Sequence, residues 1–241
     1  MAVVSESAPI VLVQLDPEAP PGLIEAVAAE RGVPLSIMAP GAAMPTEALA
    51  KAAGLIVLGS AAAAVDPESA TAALIREHVR DDRPVLALDA ASPLLALALG
   101  GAVQAGGSHK FGYVDVVPTA ATEADPVLRP LGGGLPLMEW HDDAIDLPES
   151  VLVLARCERE RVQAFRTGRA SFGLRFHPGA TTGIVKRWAE LRGAASNNPA
   201  IKVRLGAEII RHQERAERFG REVIAAWLAL VLSLSRREAS R

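Results

Sequence analysis

The chain has 241 residues, half of them apolar, and a formal net charge of −3. It is long enough to bury a sizeable core and has no basic run of the kind that nucleic acid demands, so nucleic acid is not expected as a partner. Its single cysteine, Cys157, excludes an internal disulfide framework and any multi-cysteine metal site. The start of the chain lacks a basic region followed by an apolar stretch, and the most apolar segment, 223–235, is far shorter than the ~20 residues of a membrane span. That segment reads as a buried helix, and the expected setting is the cytoplasm, with no membrane contact.

Short apolar runs alternate with longer helical patterns, which predicts an α/β sheet with crossover helices. Strands are expected at 10–14, 35–38, 55–58 and 85–88. Helices are expected at 22–31, at 67–80 with Asp66 as N-cap and Pro67 in the first position, and at 92–99, closed by Gly100 and Gly101. Further strands are predicted at 112–117, 151–156, 163–165 and 173–176, the last two joined by a turn at Thr167, Gly168 and Arg169. From 182 the chain reads as helical, interrupted by a polar loop at 193–199. One domain over 1–241 is expected, with 182–241 as a helical C-terminal portion. His78 and His212 read as residues of polar helix faces.

Between Pro84 and Pro93 a buried strand turns abruptly into a helix. Such an elbow lifts one side chain, here Asp89, out of the carboxyl edge of a sheet, beside helix-terminal N–H groups that can bind a developing anion. Other segments read together with it. Ala98, Leu99, Gly100, Gly101, Ala102 and Val103 follow the elbow helix, and Gly54 to Ser60 forms an earlier glycine-ended strand. Lys110, Phe111, Gly112 and Tyr113 come next, then Trp140, His141, Asp142 and Asp143 with Leu147 and Pro148. Gln163, Ala164, Phe165 and Arg166 precede the stretch from Gly173 to His177 and Pro178.

These segments, in this order, resemble the class I glutamine amidotransferases, in particular the glutaminase domain of GMP-synthase type. The resemblance spans nearly the whole chain. It implies a doubly wound, mostly parallel, flavodoxin-like sheet flanked by helices. It also places the family's catalytic cysteine on Asp89, the following glycine on Ala91, its glutamine on Pro93 and its oxyanion glycines on Gly59 and Ser60. The triad histidine is retained as His177, but its glutamate partner falls on Gly179, and the glutamate before Phe-Gly falls on Lys110. The family's chemistry needs a thiolate that attacks the amide and a histidine oriented by a carboxylate. A carboxylate is a far poorer nucleophile toward an amide, so no glutaminase activity is expected.

Asp89 admits three readings: a covalent nucleophile, an acid or base working with His177, or a carboxylate that merely caps the next helix. The catalytic candidates are Asp89 and His177. Candidate binding residues are Gly59, Ser60, Ala91, Ser92, Lys110, His141, Asp143 and Gln163. Asp89, His141 and His177 would make a two-histidine, one-carboxylate metal set, although no spacing pattern supports it, and neither a metal nor another cofactor is expected. Lys110 in place of a glutamate suggests an anionic small-molecule ligand, and a solvated lysine is the plainer alternative. Two functions remain. In one, the old pocket serves another small-molecule reaction, such as a step in a biosynthetic pathway, through Asp89 and His177. In the other, the chain is a non-catalytic binding or regulatory subunit of a separately encoded enzyme, and its apolar C-terminal helix closes the core or pairs two copies.

Overall fold

The structure is a computed structural model and describes residues 8–42, 49, 52–59 and 65–239. Nine strands form one sheet in the order β2-β1-β3-β4-β9-β8-β7-β5-β6. The first part is parallel: β2 (Leu35–Met38), β1 (Ile10–Gln14), β3 (Gly54–Gly59), β4 (Val85–Asp89) and β9 (Ser171–Leu174). Beyond β9 every pairing is antiparallel, through β8 (Ala164–Thr167), β7 (Leu152–Arg156), β5 (Ala102–Pro118) and β6 (Leu135–Asp146). The sheet is therefore mixed, and the expected parallel winding describes its first five strands.

The parallel strands are short runs of Val, Leu and Ile buried on both faces, as strands covered by helices on each side must be. Successive residues go to opposite cores. Ile10, Leu12, Ile56, Leu58, Leu86 and Leu88 face α1 (Leu23–Glu30) and α5 (Ala200–Ala239), while Val11, Val13, Leu55, Val57, Val85 and Ala87 face α2 (Ala70–Arg80) and α3 (Ser92–Ala98). A third cluster joins Met138 and Trp140 of β6 to Trp188 of α4 (Thr182–Ala195) and Leu205 of α5. The 223–235 segment lies inside α5, with Trp227 fully buried and donating from its indole to the Ala170 carbonyl at 3.0 Å. Among the described residues no helix is long and apolar enough to cross a membrane.

Three expectations change. Helix α2 starts at Ala70 rather than 67, because Asp66 accepts from the Glu68 amide at 2.9 Å in a local turn and Ser69 takes over as the cap, accepting from the Ala72 amide at 3.2 Å. His78 is fully buried, not on a polar face: it follows Thr71, Leu74 and Ile75 at helical spacing, and its Nδ1 donates to the Leu74 carbonyl at 3.0 Å. The 112–117 strand is only the end of a 17-residue β5, which pairs along nearly its whole length with the unexpected 12-residue β6.

Candidate functional site at the elbow

The elbow is built as the sequence implies. Strand β4 ends on Asp89, whose backbone lies in the left-handed region (φ 52°), uncommon for a residue with a side chain. The Ala91 amide donates to the Leu88 carbonyl at 3.0 Å, and the Ser92 hydroxyl donates to the Asp89 carbonyl at 2.8 Å, so the turn is closed by its own backbone. Gly59 is registered beside Asp89, and a Cβ there would stand 3.2 Å from the Ala91 amide nitrogen. A side chain at 59 would press on the turn.

Asp89 is completely buried, and neither carboxyl oxygen has a hydrogen-bond partner among the described residues. It therefore does not cap α3, whose N-cap is Ala91. Burial drives its pKa well above the usual carboxylate range. Arg175 and the Trp140 backbone pull it back, whereas Glu139 and Asp143 push it further up. Burial at the tip of the elbow thus works against the charged form of this carboxyl group.

His177 follows β9 and is buried against the Trp188 ring, with centroids 5.6 Å apart. Its Nδ1 accepts from the Gly179 amide at 3.1 Å. A backbone N–H can only donate, so Nδ1 holds the lone pair and the proton sits on Nε2. Burial lowers the pKa to about 4 against smaller opposing effects of its own backbone and that of Pro20, leaving the ring neutral. No hydrogen bond joins Asp89 to His177, since both Asp89 oxygens and His177 Nε2 lack one. Nor is there room for a side chain at 179: a Cβ there would lie 2.7 Å from the Pro21 carbonyl oxygen and 3.0 Å from His177 Cε1. The Leu23 amide donates to the Gly179 carbonyl at 2.9 Å, fastening the loop before α1 over this spot.

The wall facing the elbow comes from alternate residues of β6 and from Arg175, the residue after β9. Arg175 Nη2 donates to His141 Nδ1 at 2.6 Å, to the Asp143 carbonyl at 2.6 Å and to Asp143 Oδ1 at 2.7 Å; Nη1 reaches Ser92 Oγ at 3.4 Å. Because guanidinium only donates, His141 Nδ1 is the acceptor, and its Nε2–H donates to Glu139 Oε2 at 3.1 Å. Burial, followed by Arg175 and Lys110, lowers the His141 pKa to about 2. Burial raises Glu139 to about 8, with Lys110 and Arg175 opposing and Glu160 adding to the rise.

Beyond Glu139 lies a second cluster. Lys110 Nζ donates to Cys157 Sγ at 3.0 Å and stands 3.7 Å from Glu160 and 4.0 Å from Glu139; Gln163 Nε2 donates to Glu160 at 2.9 Å. Burial pulls the Lys110 pKa down, and Cys157, Glu139 and Glu160 together more than reverse that.

The candidate residues therefore fall into two groups. Gly59, Asp89, Ala91 and Ser92 meet at the elbow, and Arg175 ties His141 and Asp143 to them through Ser92. Lys110 and Gln163 belong to the Cys157 cluster, and Ser60 lies outside the described residues. A cavity of about 470 Å³ beside the elbow is lined in part by Ala90, Leu97, His141 and Asp143. Lys110 lines a different cavity, of about 240 Å³. It is a mostly buried, matched cation, neither a solvated lysine nor a charge offered to a ligand at the elbow. The metal set is not assembled either: among the described residues no three His, Cys, Asp or Glu side chains converge on one point, and both His141 nitrogens are engaged. Sequence reasoning missed Arg175 and Glu139. The signal for Arg175 was present, because it stands where the resembled motif has glutamine, and an arginine ahead of a buried strand end needs partners.

No family model matches the chain. In sequence it is 33% identical over 128 residues to a subunit of the glutamine-hydrolysing GMP synthase of Methanosarcina mazei, a match covering 52% of this chain and 63% of the relative. It is 29% identical over 104 residues to the glutamine amidotransferase-like protein YfeJ of Salmonella typhimurium, covering 43% and 44%. The matches thus span less than two thirds of either relative. In structure it superposes on a glutamine amidotransferase of Methylobacillus flagellatus with a TM-score of 0.76 and 24% identity, over 92% of this chain and 95% of the other. For a glutamine amidotransferase of Thermotoga maritima the values are 0.77 and 22%, over 93% and 98%.

Proposed function

We propose, from the premise that this chain has the class I glutamine amidotransferase fold and homologues among glutamine amidotransferase-like proteins, that it does not hydrolyse glutamine and acts as a non-catalytic, ligand-binding pseudo-glutaminase. The observation that carries this reading is the hydrogen bond from the Gly179 amide to His177 Nδ1. A histidine that is to deprotonate a nucleophile must present a lone pair to it, with its other nitrogen oriented by an acceptor. Here the lone pair is consumed by a backbone donor, the opposite nitrogen carries the proton, and the acidified ring has little basicity at pH 7. At the elbow tip stands a buried carboxyl group, its pKa pushed up by burial, in place of a thiolate.

The expected acid–base pair of Asp89 and His177 is the second reading, and one observation favours it. Asp89 keeps a strained backbone and an unpartnered carboxyl group at the elbow, a combination concentrated at functional sites. In that reading the reaction is on another small molecule, of the kind found in biosynthesis. The M. mazei relative is by name one subunit of an enzyme, and a separately encoded partner in the cytoplasm is part of the first reading. On α5, Val203 (77% exposed) and Ile210 (88%) stand one heptad apart and offer an apolar face to such a partner or to a second copy.

The test is a metabolite screen by thermal shift and mass spectrometry, with glutamine included and Asp89→Asn alongside wild type. Stabilisation without conversion supports the binding protein. Conversion by wild type but not by Asp89→Asn establishes the second reading. Glutamate released from glutamine overturns both.

A further inference from the structure

Beyond the elbow wall, one sulfur nucleophile and one amine are held against each other. Lys110 of β5 and Cys157, the residue after β7, are 47 positions apart in the chain, yet Lys110 Nζ lies 3.0 Å from Cys157 Sγ. The backbone fixes both ends. Lys110 is registered opposite His141 in the β5–β6 pair, and the Cys157 amide donates to the Glu160 carbonyl at 2.9 Å, closing the turn between β7 and β8. Glu160 and Glu139, at 3.7 and 4.0 Å from Nζ, hold the nitrogen in place, and Gln163 Nε2 approaches the sulfur at 3.5 Å. Lys110 and Cys157 are mostly buried, but both line the cavity of about 240 Å³ that also includes Tyr113 and Arg159. That cavity has room for a solute little larger than water. No second cysteine stands among the 241 residues to form a disulfide with Cys157.

We propose that Cys157 and Lys110 are the two ends of a peroxide-driven crosslink, a sulfenamide bond between Sγ and Nζ. The inference is independent of the reading of the elbow. An oxidised thiol in the sulfenic state condenses with a neighbouring thiol or nitrogen. Here the neighbour is an amine, at a separation from which reacting atoms go straight to bond formation. The sulfur reacts as its thiolate. Sγ attacks one oxygen of hydrogen peroxide, the O–O bond breaks, and a sulfenic acid forms with release of hydroxide. The hydroxide takes a proton from the Lys110 ammonium and becomes water. The free amine then attacks Sγ, the S–O bond breaks, and its oxygen leaves with a second amine proton as another water. Sulfur gives up two electrons, one peroxide takes them, and the chain loses two hydrogens overall. A charged lysine is an obstacle to the last attack, and the hydroxide made in the first step removes it at the same spot.

The folded full chain is treated with hydrogen peroxide, quenched with catalase, digested without reductant and mapped by mass spectrometry. The expected product is the peptide carrying Lys110 joined to the one carrying Cys157, lighter than their sum by two hydrogens and separated again by dithiothreitol. Lys110→Arg keeps the positive charge but not the nucleophilic amine; the joined product should vanish while Cys157 is still oxidised. A second measurement needs no variant: dimedone present during oxidation of wild type should trap the sulfenic acid and cut the joined product several-fold. Cys157 carried on to sulfinic acid beside an unmodified Lys110, a disulfide between two copies, or an untouched Cys157 in the folded protein each overturns the proposal. A joined product that retains an oxygen overturns the direct S–N bond.

Discussion

The parallel and antiparallel parts of the sheet solve the burial problem in opposite ways. In β1, β3 and β4 nearly every buried side chain is aliphatic, and Asp89 is the one ionisable group they bury. The neighbouring region, from β5 and β6 to Arg175, buries Glu139, His141, Gln163 and Arg175 in a connected polar network. The first needs only size and shape from its residues. The second rests on side-chain hydrogen bonds and ion pairs that share partners, so a single change propagates. The elbow holds its shape by backbone contacts, whereas the wall is held by side chains that depend on one another.

The sharpest test of that contrast is Arg175→Ala. It strands Asp143 and His141 in the interior and should cost about 3–5 kcal/mol in denaturant unfolding, as broken buried ion pairs do; Arg175→Lys should not restore it, since a single ammonium lacks the fork by which Nη1 reaches Ser92 while Nη2 serves His141 and Asp143. Next comes Leu86→Ala in the apolar part, expected to cost about 3 kcal/mol through lost packing and a cavity. Its cost should be the same at pH 5 and pH 8, and a marked pH dependence would show that the two regions are not separable.

Glu139→Gln probes the wall more gently. Folded, Glu139 keeps its proton up to about pH 8; unfolded, it releases it near pH 4.5. Its contribution is therefore intact below pH 4.5 and is lost as pH rises through 8. Relative to Glu139→Gln, wild type should lose up to about 1.4 kcal/mol per pH unit between those limits, read from unfolding curves at pH 5, 6, 7 and 8. The lowered pKa values of His141 and His177 act on the acid side, where stability falls as pH drops below 6.5, and the difference between the two proteins removes that effect. The smallest change expected is a gain: Asp89→Gly should stabilise by about 1 kcal/mol, because glycine adopts a φ of 52° without strain and removes a buried carboxyl group. A loss instead would mean that Asp89 makes an interaction the unliganded protein does not reveal.

Much of the fold was legible because the parallel strands obey one rule. A short β-branched or leucine run between turn residues can be little else, and β1 and β2 fall on 10–14 and 35–38 as expected. The rule fails where polar residues enter the interior. The alternation along β6 is masked because Glu139, His141 and Asp143 occupy inward positions that would ordinarily be apolar, and β5 is interrupted by Gly106 and Gly107 and shifts register between Ala105 and Lys110. His78 misleads for the same reason, as a polar residue in an apolar stripe. At the site, the elbow was legible from strand, turn and helix together. The orientation of His177 was not, because it depends on the backbone of Gly179 and on the loop carrying Pro21, which are brought together only by the fold.

The position of β9 and α5 has a consequence for the order in which the molecule is made. Strand β9 (171–174) occupies the middle of the sheet between β4 and β8, and Phe219, Val223, Trp227 and Val231 of α5 complete the core over β1 and β3. During synthesis, β1, β3 and β4 leave the ribosome with the edge of β4 unpaired until β9 follows, and with a face that α1 covers only in part until α5 follows later still. For that interval the most apolar strands of the chain are its most exposed, and they are the segments a chaperone would meet first.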